Sequence, residues 1–139
     1  MGDADEGWSS ANWQITENGT LPGQYLEMFV ESVLAGWEVD FQDDPSTGLP
    51  RSDIDVAPTQ LVVGLANGWA SPQPGSKFLL IWPEDVGAAY RALSERGSKP
   101  RGFMFWNIQD EGAVVPGTGR ELWLTRELRE QLGLNSAYK

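Results

Sequence analysis

The stretch "GFMFW", residues 102–106, decides the fold, and a polar run, "NIQDEG" (107–112), follows it directly. A second, nearly continuous apolar run, "QLVVGLA" (60–66), lies earlier in the chain. Apolar runs of this length are typical of parallel strands that are buried on both faces. Ligands of parallel sheets bind beyond the carboxyl ends of the strands. Trp106 and the polar residues after it are therefore either a functional rim or, equally well, the last layer of the core.

Helical patterns alternate with these strands. The segments 24–37, 83–97 and 124–134 carry apolar residues at helical spacing, and the second begins with Pro83 and the acids of a helix start. A shorter strand candidate, "NWQIT" (12–16), precedes the first helix. The order strand–helix, repeated three times, predicts an α/β fold with a parallel sheet.

The composition of the 139 residues indicates one globular domain, since 40% of them are hydrophobic. We expect that domain over residues 12–134, between a flexible acidic lead-in (1–11) and a short tail (135–139). Acids outnumber bases 20 to 10, which argues against nucleic acid as a partner. No apolar run reaches the roughly 20 residues of a membrane-spanning helix. Without cysteine or histidine, the chain has no thiol nucleophile, imidazole base or usual zinc ligand, so we expect no metal or cofactor.

Three segments of the chain resemble the last three strands of the chitinase family, glycoside hydrolase family 18. "RGFMFWNIQDEG" (101–112) is similar to the final barrel strand, "RGxMxWSxxxD", and "VAPTQLVVGLANGW" (56–69) to the preceding one, "xPxQLxxGLPA". "WQITENGT" (13–20) resembles the strand before that more loosely. The resemblance covers residues 12–134 and implies the C-terminal three β/α units of a TIM (β/α)8 barrel, an incomplete barrel with parallel strands and amphipathic helices. A complete barrel needs eight strands and about 250 residues.

The resemblance also implies a sugar-binding site at the barrel mouth. Trp106 would be the floor on which a sugar stacks, because an indole face covers the apolar face of a pyranose and keeps its N–H for a polar partner. Gln14 would point its amide into the mouth. Thr16 would stand where the family has the tyrosine that holds the substrate's acetamido group. Trp69 would be a further sugar platform.

The resemblance provides no catalytic residue in this chain. The family's signature is DxxDxDxE, whose glutamate protonates the glycosidic oxygen. The nearest stretch, "SDIDVA", has Asp53 and Asp55 at the right spacing, but Ala57 stands where the acid must be. We interpret both aspartates as solvated loop acids and expect the chain alone to be inactive.

Other polar and aromatic patterns receive simpler interpretations. Of the neighbouring acids Asp110 and Glu111, one is expected to contact sugar hydroxyls or cap a loop and the other to be solvated, and Asp110 is taken as the binding residue. Trp82, next to the helix-starting proline, is expected to pack there. "PGTGR" (116–120) lacks the Lys-Ser/Thr of a phosphate loop and is interpreted as a turn.

Three functional hypotheses stay open from the sequence. The first is the C-terminal part of a chitinase-like hydrolase, whose partners would be chitin, a missing N-terminal barrel portion or a second copy. The second is a lectin-like binder of chitooligosaccharides, and the third is a small α/β interaction domain unrelated to sugar. The resembling family is largely secreted, whereas the first ten residues lack the pattern of a signal peptide, so both compartments stay open.

Overall fold

A computed structural model describes residues 22–40, 46, 48, 51–70 and 80–134. The strand candidate 12–16 with Gln14 and Thr16, the lead-in and the tail lie outside the described residues. The described part forms seven elements, namely α1 (Pro22–Leu34), β1 (Trp37–Val39), β2 (Ser52–Ile54), β3 (Val62–Ala66), α2 (Pro83–Glu95), β4 (Gly102–Trp106) and α3 (Leu124–Gln131). The predicted α/β class is confirmed.

The two apolar runs pair as predicted. β3 and β4 are parallel, and their register runs from Val62 opposite Gly102 to Ala66 opposite Trp106. A parallel pair needs a long crossover between its strands, and the helix α2 lies within that crossover. In the described residues these two strands form a sheet of their own.

The prediction that both faces of these strands are buried is wrong. On one face, Val63 and Leu65 are buried and Phe103 and Phe105 are half-buried. The residues between them point to the opposite face, as strand geometry requires. That second face, which we call the open face, is exposed to solvent along most of its length and consists of Val62, Gly64, Met104 and Trp106.

The core lies between the packed face of β3–β4 and the helices. Tyr90 of α2 meets Phe103 edge-on, with 6.0 Å between the ring centres. The described helices contribute to one cluster with the packed face, whereas Val62, Gly64, Met104 and Trp106 of the other face are exposed. The buried members of this cluster are Leu26, Val30, Val63, Leu65, Leu80, Val86, Ala89, Leu93, Val115, Leu122, Leu124 and Leu128.

One predicted connection contains an unforeseen antiparallel ribbon. β2 pairs with β1, and Asp53 lies opposite Glu38. β1 begins at Trp37, which the sequence pattern places in the first helix, whereas that helix ends at Leu34. Arg51 binds the carboxylates of Glu38 and Asp40 across the ribbon. Asp53 is therefore a strand residue rather than a loop residue, although it is exposed, as was predicted of it.

The start of α2 is held by a cluster around Arg120. Its guanidinium lies 4.4 Å from the ring centre of Trp82 and binds Glu84 and Glu127, so it joins α2 to α3. Trp82 packs at the helix start as predicted, with Pro83 as the first helical residue. Within the described ranges, no helix has the length and apolar character to cross a membrane.

Candidate functional site

The strands β3 and β4 end side by side and leave the sheet in matching ways. Asn67 N–H donates to the main-chain oxygen of Trp106 over 3.0 Å, one step beyond the last paired residues. A short 3-10 turn then follows each strand, Gly68–Ala70 after β3 and Ile108–Asp110 after β4. We call residues 67–70 and 106–111 the rim.

Two tryptophans face solvent at the rim. Trp106 is 67% exposed and lies on the open face of β4. Trp69 is 49% exposed, and its indole N–H donates to the main-chain oxygen of Trp106. The Trp69 ring is therefore anchored by its own nitrogen, whereas the indole N–H of Trp106 makes no hydrogen bond within the described residues. The peptide bond between Trp106 and Asn107 is cis.

A buried amide ties the two halves of the rim together. Asn67 is fully buried, and its Nδ2 donates to the main-chain oxygen of Asn107 over 2.8 Å and to Glu111 Oε1 over 3.3 Å. Its Oδ1 accepts from the N–H of Gly68 over 2.7 Å. Buried polar groups are costly unless they are hydrogen-bonded, so this amide holds the main chain just beyond both strands, at Gly68 and at Asn107, in one geometry.

Glu111 extends this network to a helix. Its Oε1 accepts from the N–H of Leu124 over 2.8 Å, and its Oε2 from the N–H of Thr125 over 3.0 Å. A carboxylate at a helix N-terminus satisfies free N–H groups and is favoured by the helix dipole. Of the two expected roles for the acid pair, the capping one therefore falls to Glu111.

Asp110 keeps its carboxylate for other contacts. It is half-buried at the end of the turn that Asn107 starts by accepting the N–H of Gln109 over 2.9 Å. Its side chain makes no hydrogen bond or ion pair to the described residues. An anionic oxygen pair a few residues from Trp106 can accept hydrogen bonds from hydroxyl groups of a ligand.

The structure brings two of the predicted binding residues, Trp69 and Trp106, into contact, and Asp110 lies in the turn that follows β4. Asn67 was missed by the sequence reasoning, although one signal was available. It is a polar residue directly after an apolar strand, in the same position relative to β3 as Asn107 is to β4. Parallel strands bring such residues to one edge, so the pair could have been read as a bridge.

Acid chemistry has little support elsewhere. Asp53 and Asp55 precede β3, near Pro58 and Leu61, whose main-chain oxygens accept from the N–H just before β4. They therefore lie toward the amino ends of the strands, opposite the rim. In the parts of the chain that the structure describes, no group of three or more acidic side chains is arranged to hold a metal ion.

Comparison of the chain with protein-family models, with curated proteins and with solved structures found no match to any of them.

Proposed function

We propose that this chain is the C-terminal part of a chitinase-like (β/α)8 barrel and that its rim binds polymers of N-acetylglucosamine. The observation that carries the proposal is Trp106, which is 67% exposed at the carboxyl end of a parallel strand, beside hydrogen-bonding groups. An apolar strand that ends in a solvent-exposed indole offers that ring to a ligand rather than to the core.

The one-sided burial of the sheet supports the barrel part of this proposal. An open α/β sheet carries helices on both faces, whereas a barrel wall carries them only outside. Here the described helices all pack on the face of Val63 and Leu65. In a closed barrel the open face would point inward, and its exposed Met104 would meet side chains from the opposite wall.

The chemistry of the rim supports a sugar ligand. The indole face of Trp106 suits the C–H face of a pyranose, and its N–H, which has no partner among the described residues, can bind a hydroxyl or an acetamido oxygen. Asp110 adds an acceptor for hydroxyl groups. Trp69 adds a second ring, which its hydrogen bond to Trp106 holds beside the end of β4. Aromatic rings with a few convergent polar groups are the usual composition of ligand sites.

The binding experiment is a titration of tryptophan fluorescence with the N-acetylglucosamine hexamer. We expect weak binding, about millimolar to high micromolar, since three units supply only part of a cleft. Trp106→Ala should abolish the change. Trp37→Ala is the matched control, because Trp37 is 50% exposed but lies in the ribbon, away from the rim. An unaltered titration for Trp106→Ala, with folding intact, would contradict the proposal.

The hydrolysis experiment addresses the missing acid. We expect no cleavage of the hexamer by the chain alone above a buffer blank, because Ala57 stands where the catalytic glutamate would be. Chromatography of the products measures it. Turnover that persists through purification, and that Asp110→Asn removes, would show a carboxylate mechanism that the resemblance does not supply.

The open face itself favours a second candidate, an interaction domain. Val62 and Met104 are exposed apolar residues of the open face, and Ile108 is exposed two residues beyond Trp106; exposed apolar surface marks protein contacts. Met104→Lys separates the two functions. It should prevent a protein contact through this face while leaving the sugar titration of Trp106 measurable.

A further inference from the structure

A surface groove lies beside the rim, along α3. It has a volume of about 410 Å³, and we call it the α3 groove; its lining residues are Ile108, Glu111, Trp123, Thr125, Arg126 and Arg129. Its apolar surface comes mainly from Ile108, which is 75% exposed, and from the ring of Trp123. The groove therefore begins two residues beyond Trp106 along the chain.

Two arginines line this groove without an acidic partner. Arg126 and Arg129 are three residues apart on α3, so they lie on the same side of the helix. The guanidinium of Arg126 lies 5.6 Å from the ring centre of Trp123, and Arg129 Nε donates to the main-chain oxygen of Leu134 over 3.3 Å. Neither forms an ion pair within the described residues.

Arg91 and Arg101 also form no ion pair within the described residues, so Arg126 and Arg129 are distinguished by lying next to each other beside an indole. Each of Arg51, Arg96 and Arg120 binds two carboxylates. With acids outnumbering bases 20 to 10, the chain has ample acids to pair with its cations. Two neighbouring guanidiniums beside an indole thus form a local positive site on an acidic molecule, and such a site attracts anions.

The acid in the groove, Glu111, is already engaged at the start of α3. Both oxygens of Glu111 accept main-chain N–H groups at the start of α3, and one also accepts from Asn67. Its oxygens are therefore occupied at the helix start, and the groove lining carries two guanidinium charges against this one carboxylate charge. The ring of Trp123 is fixed as well, because the main chain at Gly112 approaches it too closely for a side chain to fit between them.

We propose that the α3 groove binds a sugar unit that carries a carboxylate. The carboxylate lies between Arg126 and Arg129, since guanidinium groups match carboxylates in a two-point geometry. The pyranose lies on Trp123 and Ile108. This inference rests on the proposed function and sharpens it, because the ligand becomes a glycan with both N-acetylated and acidic sugars.

The test compares two tetrasaccharides of equal length by calorimetry. One alternates glucuronate and N-acetylglucosamine, and the other is the neutral N-acetylglucosamine tetramer. We expect the acidic one to bind about five- to tenfold more tightly, because two exposed guanidinium–carboxylate contacts together contribute about that factor. The preference should weaken as salt rises, since salt screens exposed charges. Equal affinities for the two would overturn the proposal.

The variants locate the effect. Arg126→Gln combined with Arg129→Gln should remove the preference for the acidic tetrasaccharide. Arg101→Gln is the matched control, because Arg101 is exposed but precedes β4, at the opposite end of the sheet. Preference that survives the double variant, or that Arg101→Gln removes equally, would overturn the proposal, since either result places the effect outside the groove.

A further variant separates this proposal from the function it rests on. In Trp106→Ala, the arginine-dependent preference should persist even when binding of the neutral tetramer is lost. If Trp106→Ala leaves binding of the neutral tetramer unchanged, the rim proposal fails. If the arginine double variant leaves the preference for the acidic tetrasaccharide unchanged, the groove proposal fails. An acidic peptide that binds the groove more tightly than the acidic sugar would overturn the sugar as its occupant.

Discussion

The two faces of the β3–β4 sheet come from the same two apolar runs, but one face is buried and the other is exposed. Val63 is 4% exposed, whereas its neighbour Val62 is 47% exposed. Leu65 lies under the helices, whereas Met104 on the other face is 52% exposed. The residues of the two faces are equally apolar, so their composition does not separate core from surface here. The helices separate them, because the helices of the described part pack with one face only.

The largest expected loss of stability comes from a substitution in the packed face. Leu65→Ala should lower the free energy of unfolding by about 3 kcal/mol, through lost burial and the cavity left behind. Met104→Ala, on the open face of the neighbouring strand, should cost less than about 1 kcal/mol. Denaturant unfolding measures both. Equal losses would mean that another part of the molecule, or a second copy, covers the open face in solution.

The next effect lies where the packed face meets the rim. Asn67→Ala should cost about 2 kcal/mol, because it leaves the main-chain oxygen of Asn107 and part of the Glu111 carboxylate without their partner. Asn107→Ala removes only a local hydrogen bond to the N–H of Gln109 and should cost under about 1 kcal/mol. Thermal unfolding compares the two. A larger loss for Asn107→Ala would contradict the bridging role of Asn67.

Two glycines allow the same comparison between packed and open surroundings in one loop. Gly112 and Gly119 both have positive φ, +80° and +68°, so alanine is strained at either. At Gly112 the added methyl group would also collide with Trp123, whereas at Gly119 it would meet nothing. We expect Gly112→Ala to destabilise by about 1 kcal/mol more than Gly119→Ala. Equal melting temperatures for the two variants would show that the ring yields freely.

Association should reveal the open face directly. β3 and β4 leave sheet edges unpaired among the described residues, and an unpaired edge is a template for association. We expect the chain to self-associate as its concentration rises and Met104→Lys to reduce this, with a change in stability below about 0.5 kcal/mol. Light scattering measures the mass. A monodisperse monomer with a sharp, high melting transition would instead mean that the sheet closes in another way, and the barrel proposal would fail.

The smallest expected effect concerns charge in the helix layer over the packed face. The hydrogen bond from Arg120 lowers the pKa of Glu84 below its ordinary value of 4.5. A lowered pKa contributes stability above that value, and this stability is lost as the pH falls through the folded-state pKa. Since half of the Glu84 side chain is exposed, we expect Glu84→Gln to cost at most about 1 kcal/mol at pH 7.

That cost should be smaller at pH 3 than at pH 7, because stability from a lowered pKa is lost as the pH falls through the folded-state pKa. Burial, followed by the nearby Glu84 charge, raises the pKa of Asp85, so its own contribution has the opposite sign and partly offsets the loss. Glu95→Gln, in the same helix and without an ion pair in the described part, is the control. A Glu84→Gln cost that is equal at both pH values would contradict the pairing.

Local patterns in the sequence determined the class of fold. Apolar runs of five to seven residues predicted β3 and β4, because a strand of this kind is recognised from the apolar side chains along its own length. Helical spacing with Pro83 at a start predicted α2 to within two residues of its end. The sequence also predicted that Trp106, Trp69 and Asp110 lie near one edge of the sheet, since parallel strands end on the same side.

Only the tertiary structure decided which of these residues face solvent and which polar groups hold the rim. The period of a strand distinguishes its two faces but does not say which one meets the helices, and here both faces were apolar. The links from Asn67 to Asn107 and Glu111 join residues 40 and 44 positions apart. Such a bond depends on the crossover that aligns β3 with β4, so no local pattern contains it. The same holds for the α3 groove, where a helix start, a loop glycine and a strand end meet.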